Sequence, residues 1–309
     1  MKCYDIIVIG GGPAGMAAAI AAHDAGCSNL LIIDREEALG GILKQCIHPG
    51  FGLHRHGIEL TGPEYAEIDA ERVRDRGIQV LSRATVIAVT KEKTVTVQSE
   101  HGLEPYQAKA LILATGCRER PRGALPIHGT RPAGIYTAGC AQKLINRHGL
   151  LPGKHAVILG SGDIGLIMAR RMTLEGATVE AVCEILPQPS GLIRNVVQCL
   201  HDFDIPLFLS TTVVEVHGRD RVCGVTVAEV DEHRNVLEHS RRFLPCDTLL
   251  LSVGLIPERD LLVSAGITET DGIFLCGNVK KVYGLVDEVS KDSELIGQCA
   301  AAYVKGEIA

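Results

Sequence analysis

A chain of 309 residues with 46% hydrophobic and 22% charged side chains has room for two globular domains and does not read as a disordered protein. A net charge of −6, with no run of Lys or Arg, gives no reason to expect nucleic acid or an anionic membrane surface as a partner. Aromatics are scarce at 4% while glycine reaches 34, a profile of many β–α turns and small-residue packing.

Near its start the chain has an apolar run of four residues, 6–9, that stops at Gly10. That is too short for the apolar stretch of a signal peptide or the ~20 residues of a membrane span, so a cytoplasmic protein without a transmembrane segment is expected. Gly10-Gly11-Gly12-Pro13-Ala14-Gly15 follows, then a small-residue helix through Ala25 and a strand over 29–33 ending on Asp34. The same plan returns with a strand over 155–159, then Gly160-Ser161-Gly162-Asp163-Ile164-Gly165, a helix to about Glu175, and a strand over 178–183 ending on Glu184. The first glycine and the acid are 24 residues apart in both copies, and the copies are offset by 150. In this pattern Gly10 and Gly160 allow a tight turn, Gly12 and Gly162 let backbone approach a pyrophosphate, and Gly15 and Gly165 let the helix pack close on the sheet. The helix N-terminus offers N–H groups and the positive end of a dipole, and the acid accepts ribose hydroxyls. One G-x-G-x-x-G often marks only a tight turn; two, each between strand and helix with the acid in register, predict two Rossmann-like dinucleotide-binding domains in an α/β protein.

Between the copies, Thr61-Gly62-Pro63-Glu64 reads as a capping box opening a charged helix to about Arg76. Alternating runs at 85–89, 93–98 and 226–230 read as half-exposed antiparallel strands. The strand at 110–113 ends in Ala114-Thr115-Gly116, and 248–254 repeats its design. The Pro/Gly/Arg-rich stretch 118–132 and the segment 254–257 read as linkers, so the second unit is inserted into the first. The chain then returns through 272–279 and a final helix over about 287–304. The eleven cysteines show no C-x-x-C, and nearly all read as small buried hydrophobes kept reduced, with no metal or iron–sulfur ligand set.

Over nearly its whole length the sequence resembles the two-dinucleotide-binding-domain flavoproteins, the superfamily of thioredoxin and glutathione reductases. The residues that carry the resemblance are the two fingerprints, Ala114-Thr115-Gly116, and Gly272-Ile273-Phe274-Leu275-Cys276-Gly277-Asn278. The size resembles the thioredoxin reductase type. The stretches Gly40-Gly41-Ile42-Leu43-Lys44-Gln45-Cys46-Ile47-His48-Pro49-Gly50-Phe51-Gly52-Leu53-His54, Gly116-Cys117-Arg118-Glu119-Arg120 and the second fingerprint continued through Leu166-Ile167-Met168-Ala169-Arg170-Arg171 are similar to a narrower branch. Its members are FAD-binding subunits accompanying a second flavoprotein, among them partners of glycerol-3-phosphate dehydrogenase and subunits of hydrogen cyanide synthase and of opine- or proline-type dehydrogenases. The resemblance implies FAD in 1–120 and 254–309, on Gly10, Gly12, Pro13, Ala14, Gly15, Asp34, Gly41, Val86, Thr115, Gly116, Asn278 and Val286. It implies a nicotinamide dinucleotide in 121–253, on Gly160, Gly162, Asp163, Ile164, Gly165 and Glu184, with Gly254 contributing from just beyond that range. Two departures stand out: Asn278 replaces the family's Asp beside the ribityl chain, and 265–272 is short where relatives carry a hairpin.

Relatives that reduce disulfides keep two sulfurs near the flavin. Here Cys46 follows the Gly40-Gly41 turn alone and off the matching position, and Thr137 stands where the first sulfur before Cys140 would be. A single sulfur cannot cycle between dithiol and disulfide, so direct electron transfer by the flavin is expected. The residues expected at the isoalloxazine are in 41–48 and at Leu285 and Val286, where the last helix would present its N-terminus. The catalytic candidates are Cys46 and His48. His48, His54 and His56 read either as a proton relay or docking loop or as incidental solvated histidines, and Cys46 either tunes the flavin or is a packed thiol. Glu184 would repel a 2′-phosphate, and no Lys or Arg follows until Arg194, so NAD(H) is expected over NADP(H). The resulting expectation is an FAD- and NAD(H)-dependent oxidoreductase working with a second flavoprotein dehydrogenase subunit or another electron carrier. A stand-alone NADH oxidase, a largely structural nucleotide-binding subunit, and homo-oligomerisation remain open at this point.

Overall fold

The computed structural model describes residues 1–268 and 272–308. Residues 269–271, within the stretch expected to be short before Gly272, lie outside the described residues. The α-helices among the described residues are α1 (Pro13–Asp24), α2 (Gly62–Asp75), α3 (Ala138–His148), α4 (Asp163–Leu174), α5 (Ile193–Cys199), α6 (Asp260–Ser264) and α7 (Val286–Lys305). The chain divides into two compact units, Met1–Arg118 with Ile256–Ala309, and Glu119–Leu255. The fold is α/β with two Rossmann-like domains, one inserted into the other.

The first unit is built on a seven-stranded sheet in which Lys2–Ile9 lies between Leu30–Ile33 and Gly102–Leu113, parallel to both. Gln79–Leu81 and Ile273–Leu275 extend the parallel part, and Thr94–Ser99 and Thr85–Val89 add an antiparallel edge. Ile6, Ile7, Val8, Leu30 and Ile32 are fully buried, as continuous apolar runs must be when helices cover both faces of a sheet. The small residues of α1 let α7 come close: a Cβ on Gly297 would strike the Ala18 carbonyl. The expected capping box opens α2, with the Thr61 amide donating to Glu64 Oε2 at 2.8 Å and Glu64 N–H donating to the Thr61 hydroxyl at 3.5 Å.

The second unit holds a five-stranded parallel sheet ordered Ile135–Thr137, Thr248–Leu251, His155–Leu159, Thr178–Cys183, Leu207–Phe208. A mostly antiparallel sheet of His128–Gly129, Thr211–Gly218, Val222–Glu229 and Arg242–Leu244 completes it.

Three expectations need correction. Segment 118–132 is not a bare linker: His128 and Gly129 pair with Glu215 and Val216, and the Thr130 hydroxyl donates to the Gly218 carbonyl at 2.6 Å. Its Pro, Gly and Arg content disguised a sheet edge. The other expected linker, 254–257, does carry the boundary between the units, but as the short strand Leu255–Pro257 rather than irregular chain. The cysteines are also less uniformly buried than their apolar neighbours suggested, because Cys3, Cys140, Cys223 and Cys299 are exposed while Cys27, Cys183, Cys199, Cys246 and Cys276 are buried. No helix among the described residues is long and apolar enough to cross a membrane.

Candidate dinucleotide sites

In the first unit Ile9 ends its strand opposite both Ile33 and Leu113, so the chain turns at Gly10 between two strand ends. Gly10 has φ +108°, and a Cβ there would strike the Ala114 carbonyl; a Cβ on Gly15 would strike the carbonyl of Gly10. These two positions admit only glycine. Gly12 is different, because a Cβ there would find nothing nearer than the Gly41 Cα at 3.9 Å. An open glycine at the N-cap of α1, which no side chain caps, leaves first-turn N–H groups for an anion and room for it to approach. Pro13 and Ala14 form that turn, with Ala14 buried against Gly277. Asp34 is buried at the end of its strand, with Oδ2 accepting from Gly11 N–H at 2.5 Å and Oδ1 from Glu36 N–H at 2.7 Å. A carboxylate with about four acceptor sites keeps capacity for ribose hydroxyls after two such bonds. These residues fit the dinucleotide half of FAD.

The other residues assigned to the flavin have less uniform surroundings. The Gly40 amide donates to the Gly11 carbonyl at 2.8 Å, which brings Gly41 beside Gly12. The Thr115 hydroxyl is engaged by the Glu258 carbonyl at 2.7 Å, and the Gly116 carbonyl accepts from Glu258 N–H at 3.0 Å, so both hold the start of the returning chain. Val86 is half-buried in the antiparallel edge. Asn278 accepts from Tyr283 N–H at 3.1 Å and places its amide nitrogen 3.6 Å from the Cys117 sulfur. Val286 is the first residue of α7, whose N-cap Leu285 makes no side-chain cap.

The segment after Gly41 is tied down. Arg55 pairs with fully buried Asp69 and with Glu294 at 2.8 Å, and the Tyr65 hydroxyl is 2.8 Å from that of Ser290. His54 N–H donates to Asp287 Oδ2 at 2.9 Å, so this loop is anchored to α2 and to the first turn of α7. His54 contributes its backbone, while the His56 ring meets Tyr65 edge-on at 5.0 Å, and burial followed by the Arg55 charge pushes its pKa down. The Nδ1 atom of His48 lies 3.0 Å from the Pro49 carbonyl. The three histidines therefore have different surroundings. The Cys46 thiol donates to the Ile42 carbonyl at 3.4 Å, and burial pushes its pKa up to about 12. That thiol is almost wholly protonated at neutral pH.

In the second unit Leu159 ends its strand opposite Cys183 and Leu251, and the turn repeats. A Cβ on Gly160 would strike the Ser252 carbonyl and one on Gly165 would meet the Gly160 carbonyl at 2.5 Å, whereas Gly162 has nothing nearer than the Ser252 hydroxyl at 3.9 Å. Ile164 packs against the apolar core. Asp163, in the first turn of α4, is turned to α5: its Oδ1 accepts from Leu192 N–H at 2.8 Å and from the Asn195 amide at 2.7 Å. The Gly254 carbonyl accepts from Arg120 N–H at 3.0 Å. Glu184, only 5% exposed, accepts at Oε2 from Ser161 N–H (3.0 Å), the Ser161 hydroxyl (2.5 Å) and the Ser190 hydroxyl (3.0 Å), and at Oε1 from Leu186 N–H (3.0 Å). Burial raises its pKa, but the Ser161 hydroxyl, the Leu186 and Ser161 amides and the Ser190 hydroxyl outweigh burial and hold it below the ordinary range. These residues fit a second dinucleotide.

Sequence reading missed Ser161, Leu186, Ser190 and Asn195. Ser161 stands where the first fingerprint has Gly11, which was the available signal; Ser190 and Asn195 belong to a segment whose return to the fingerprint no spacing announced. Thr137, where a sulfur was looked for, is the N-cap of α3 and accepts from Cys140 N–H at 3.4 Å.

Comparison with known proteins agrees with this geometry. The pyridine nucleotide-disulphide oxidoreductase family matches residues 4–302. An opine oxidase subunit from Agrobacterium tumefaciens is 27% identical over 85% of this chain and 54% of its own length. The HcnB subunit of hydrogen cyanide synthase from Pseudomonas protegens is 28% identical over 84% of this chain and 58% of its own. The chain thus spans little more than half of these two relatives. Among solved structures, thioredoxin reductase from T. acidophilum aligns with a TM-score of 0.75 at 20% identity over 99% of both chains, a likeness of fold. The chain belongs to the pyridine nucleotide-disulphide oxidoreductase family, flavoprotein oxidoreductases whose members bind FAD and NAD(P).

Proposed function

We propose that this chain is the FAD- and NAD(H)-binding component of an electron-transfer oxidoreductase that works with a second flavoprotein dehydrogenase subunit or another electron carrier, in the cytoplasm. The observation that carries this reading is the duplicated turn, with Gly11 N–H on Asp34 and Ser161 N–H on Glu184, each beside an open glycine at an uncapped helix start. Bound FAD would supply two-electron exchange with a nicotinamide. Gly12 and the first turn of α1 hold its pyrophosphate, and Asp34 its ribose. Gly162 and α4 hold the pyrophosphate of NAD(H), and the acceptor site left on Glu184 Oε1, which takes only the Leu186 amide, holds its ribose.

The reading excludes a disulfide relay. Support comes from Cys46, protonated and bonded to Ile42, and from Thr137, a helix cap in a place where a sulfur would be needed. The names of the two curated relatives, both subunits, support a partner. Stopped-flow mixing of the FAD-loaded protein with NADH and NADPH tests the reading, with NADH expected to bleach the flavin faster. Robust reduction of thioredoxin or glutathione by the same preparation would return the protein to the disulfide reductases.

A further inference from the structure

We propose that Ser161, Ser190 and the Leu186 amide form a nest of anion-holding donors, and that Glu184 is its resident anion, keeping a 2′-phosphate out by occupying the place that phosphate would take. The inference rests on the reading of this unit as an NAD(H) site and deepens it.

Glu184 receives four hydrogen bonds, all from neutral donors, and three converge on Oε2. The two serines are ordered as a pair. Ser190 N–H donates to the Ser161 hydroxyl oxygen at 2.9 Å, which leaves the Ser161 proton for the carboxylate. The Gly191 amide donates to the Ser161 carbonyl at 2.9 Å and fixes the segment that carries Ser190. Ser161 is fully buried. The Ser161 donors, buried in this way, cost about 1–3 kcal/mol each when left without an acceptor and require an anion or water if the carboxylate is removed, whereas Ser190 is exposed and reaches them from the surface. Clustered neutral donors of this kind bind phosphate oxygens. The first unit lacks the device: Gly11 stands in place of Ser161, and Asp34 meets only backbone donors. Charge repulsion alone predicts that removing Glu184 merely relaxes discrimination. A vacated nest predicts that phosphate is actively bound and that Ser190 is needed for it.

The test uses the FAD-loaded full chain as wild type, Ser190→Ala, Glu184→Ala and the double variant. Inorganic phosphate is the probe in thermal denaturation, and ADP-ribose and 2′-phospho-ADP-ribose are the probes in calorimetry. Phosphate should raise the Tm of Glu184→Ala and not of the wild type. Binding of 2′-phospho-ADP-ribose to Glu184→Ala should tighten about tenfold over wild type, the worth of one charge-assisted hydrogen bond, and the double variant should lose that gain. A folded Glu184→Ala without the gain, or a gain that survives the loss of Ser190, overturns the proposal. Wild type that binds no ADP-ribose would refute the nucleotide reading, while the phosphate-dependent Tm still decides the nest. If Glu184→Ala does not fold, carboxyl NMR titration decides: the Glu184 pKa should rise in Ser190→Ala, and an unchanged value overturns the proposal.

Discussion

The two fingerprints use one scaffold and finish it differently. In both, the first and third glycines face carbonyl oxygens, the second is open, and the acid accepts the amide of the residue before it. In both, a later glycine, Gly40 or Gly191, donates to that same residue's carbonyl. The first unit follows its turn with Pro13 and leaves Asp34 on two backbone amides. The second follows it with Asp163, spent on anchoring α5, and holds Glu184 with two serines. On the proposed reading the backbone makes a dinucleotide site, and the side chains decide which dinucleotide and how it is discriminated.

The largest effect expected comes from Gly15→Ala, whose Cβ would run into the Gly10 carbonyl. Overpacking there should cost about 3 kcal/mol and give protein with a lowered Tm and no bound flavin. Gly165→Ala, with Ser252 Cβ at 3.0 Å and the Gly160 carbonyl at 2.5 Å, should instead keep the yellow colour and lose nucleotide binding. Loss of flavin in both variants would break the independence of the two sites.

Substitution at the open glycines separates binding from folding. Gly12→Val should weaken FAD by on the order of 100-fold while the Tm of the flavin-free protein stays near wild type, because the side chain enters space meant for phosphate rather than protein. Gly162→Val should do the same to NADH alone, read as unchanged flavin content with no bleaching. A large drop in the flavin-free Tm would show that these glycines serve packing.

Acid stability tests how firmly Glu184 is held. Glu184 has a folded pKa below its ordinary 4.5. Its stabilisation is therefore complete above the ordinary range and disappears as pH falls through the folded value. Ser190→Ala removes one of the bonds that lower the pKa, so its acid unfolding should begin at a higher pH than in wild type, followed by circular dichroism. Coincident acid limbs would contradict this.

The smallest effects belong to the sulfurs. Cys46→Ser and Cys140→Ser should each leave NADH-driven flavin reduction within about twofold, since neither is expected to carry electrons. At neutral pH, Cys46 should alkylate more slowly than exposed Cys223 or Cys299, its thiol being held near pKa 12.

Much of the frame was legible in the sequence because its signals are local. The glycine spacing, the apolar strands at 4–9 and 155–159, and the T-x-x-E cap each depend on residues close in the chain. What escaped depends on side chains meeting across distance. Ser190 reaches Ser161 over 29 positions, Arg55 reaches Glu294 over 239, and the edge strand at His128 needs its partner at Glu215 to be recognised at all. The shift of four cysteines to the surface has the same origin, because strand and helix periodicity say which side chains share a face but not what covers that face.

The most direct test of the central claim is an anaerobic titration of the FAD-loaded protein with NADH, followed by flavin absorbance. With flavin as the only two-electron centre, bleaching should be complete at about one equivalent of NADH per FAD, and NADPH should reach the same end point much more slowly. An end point near two equivalents would reveal a redox-active disulfide, and with it a function among the disulfide reductases; no bleaching at all would contradict the account of two working dinucleotide sites.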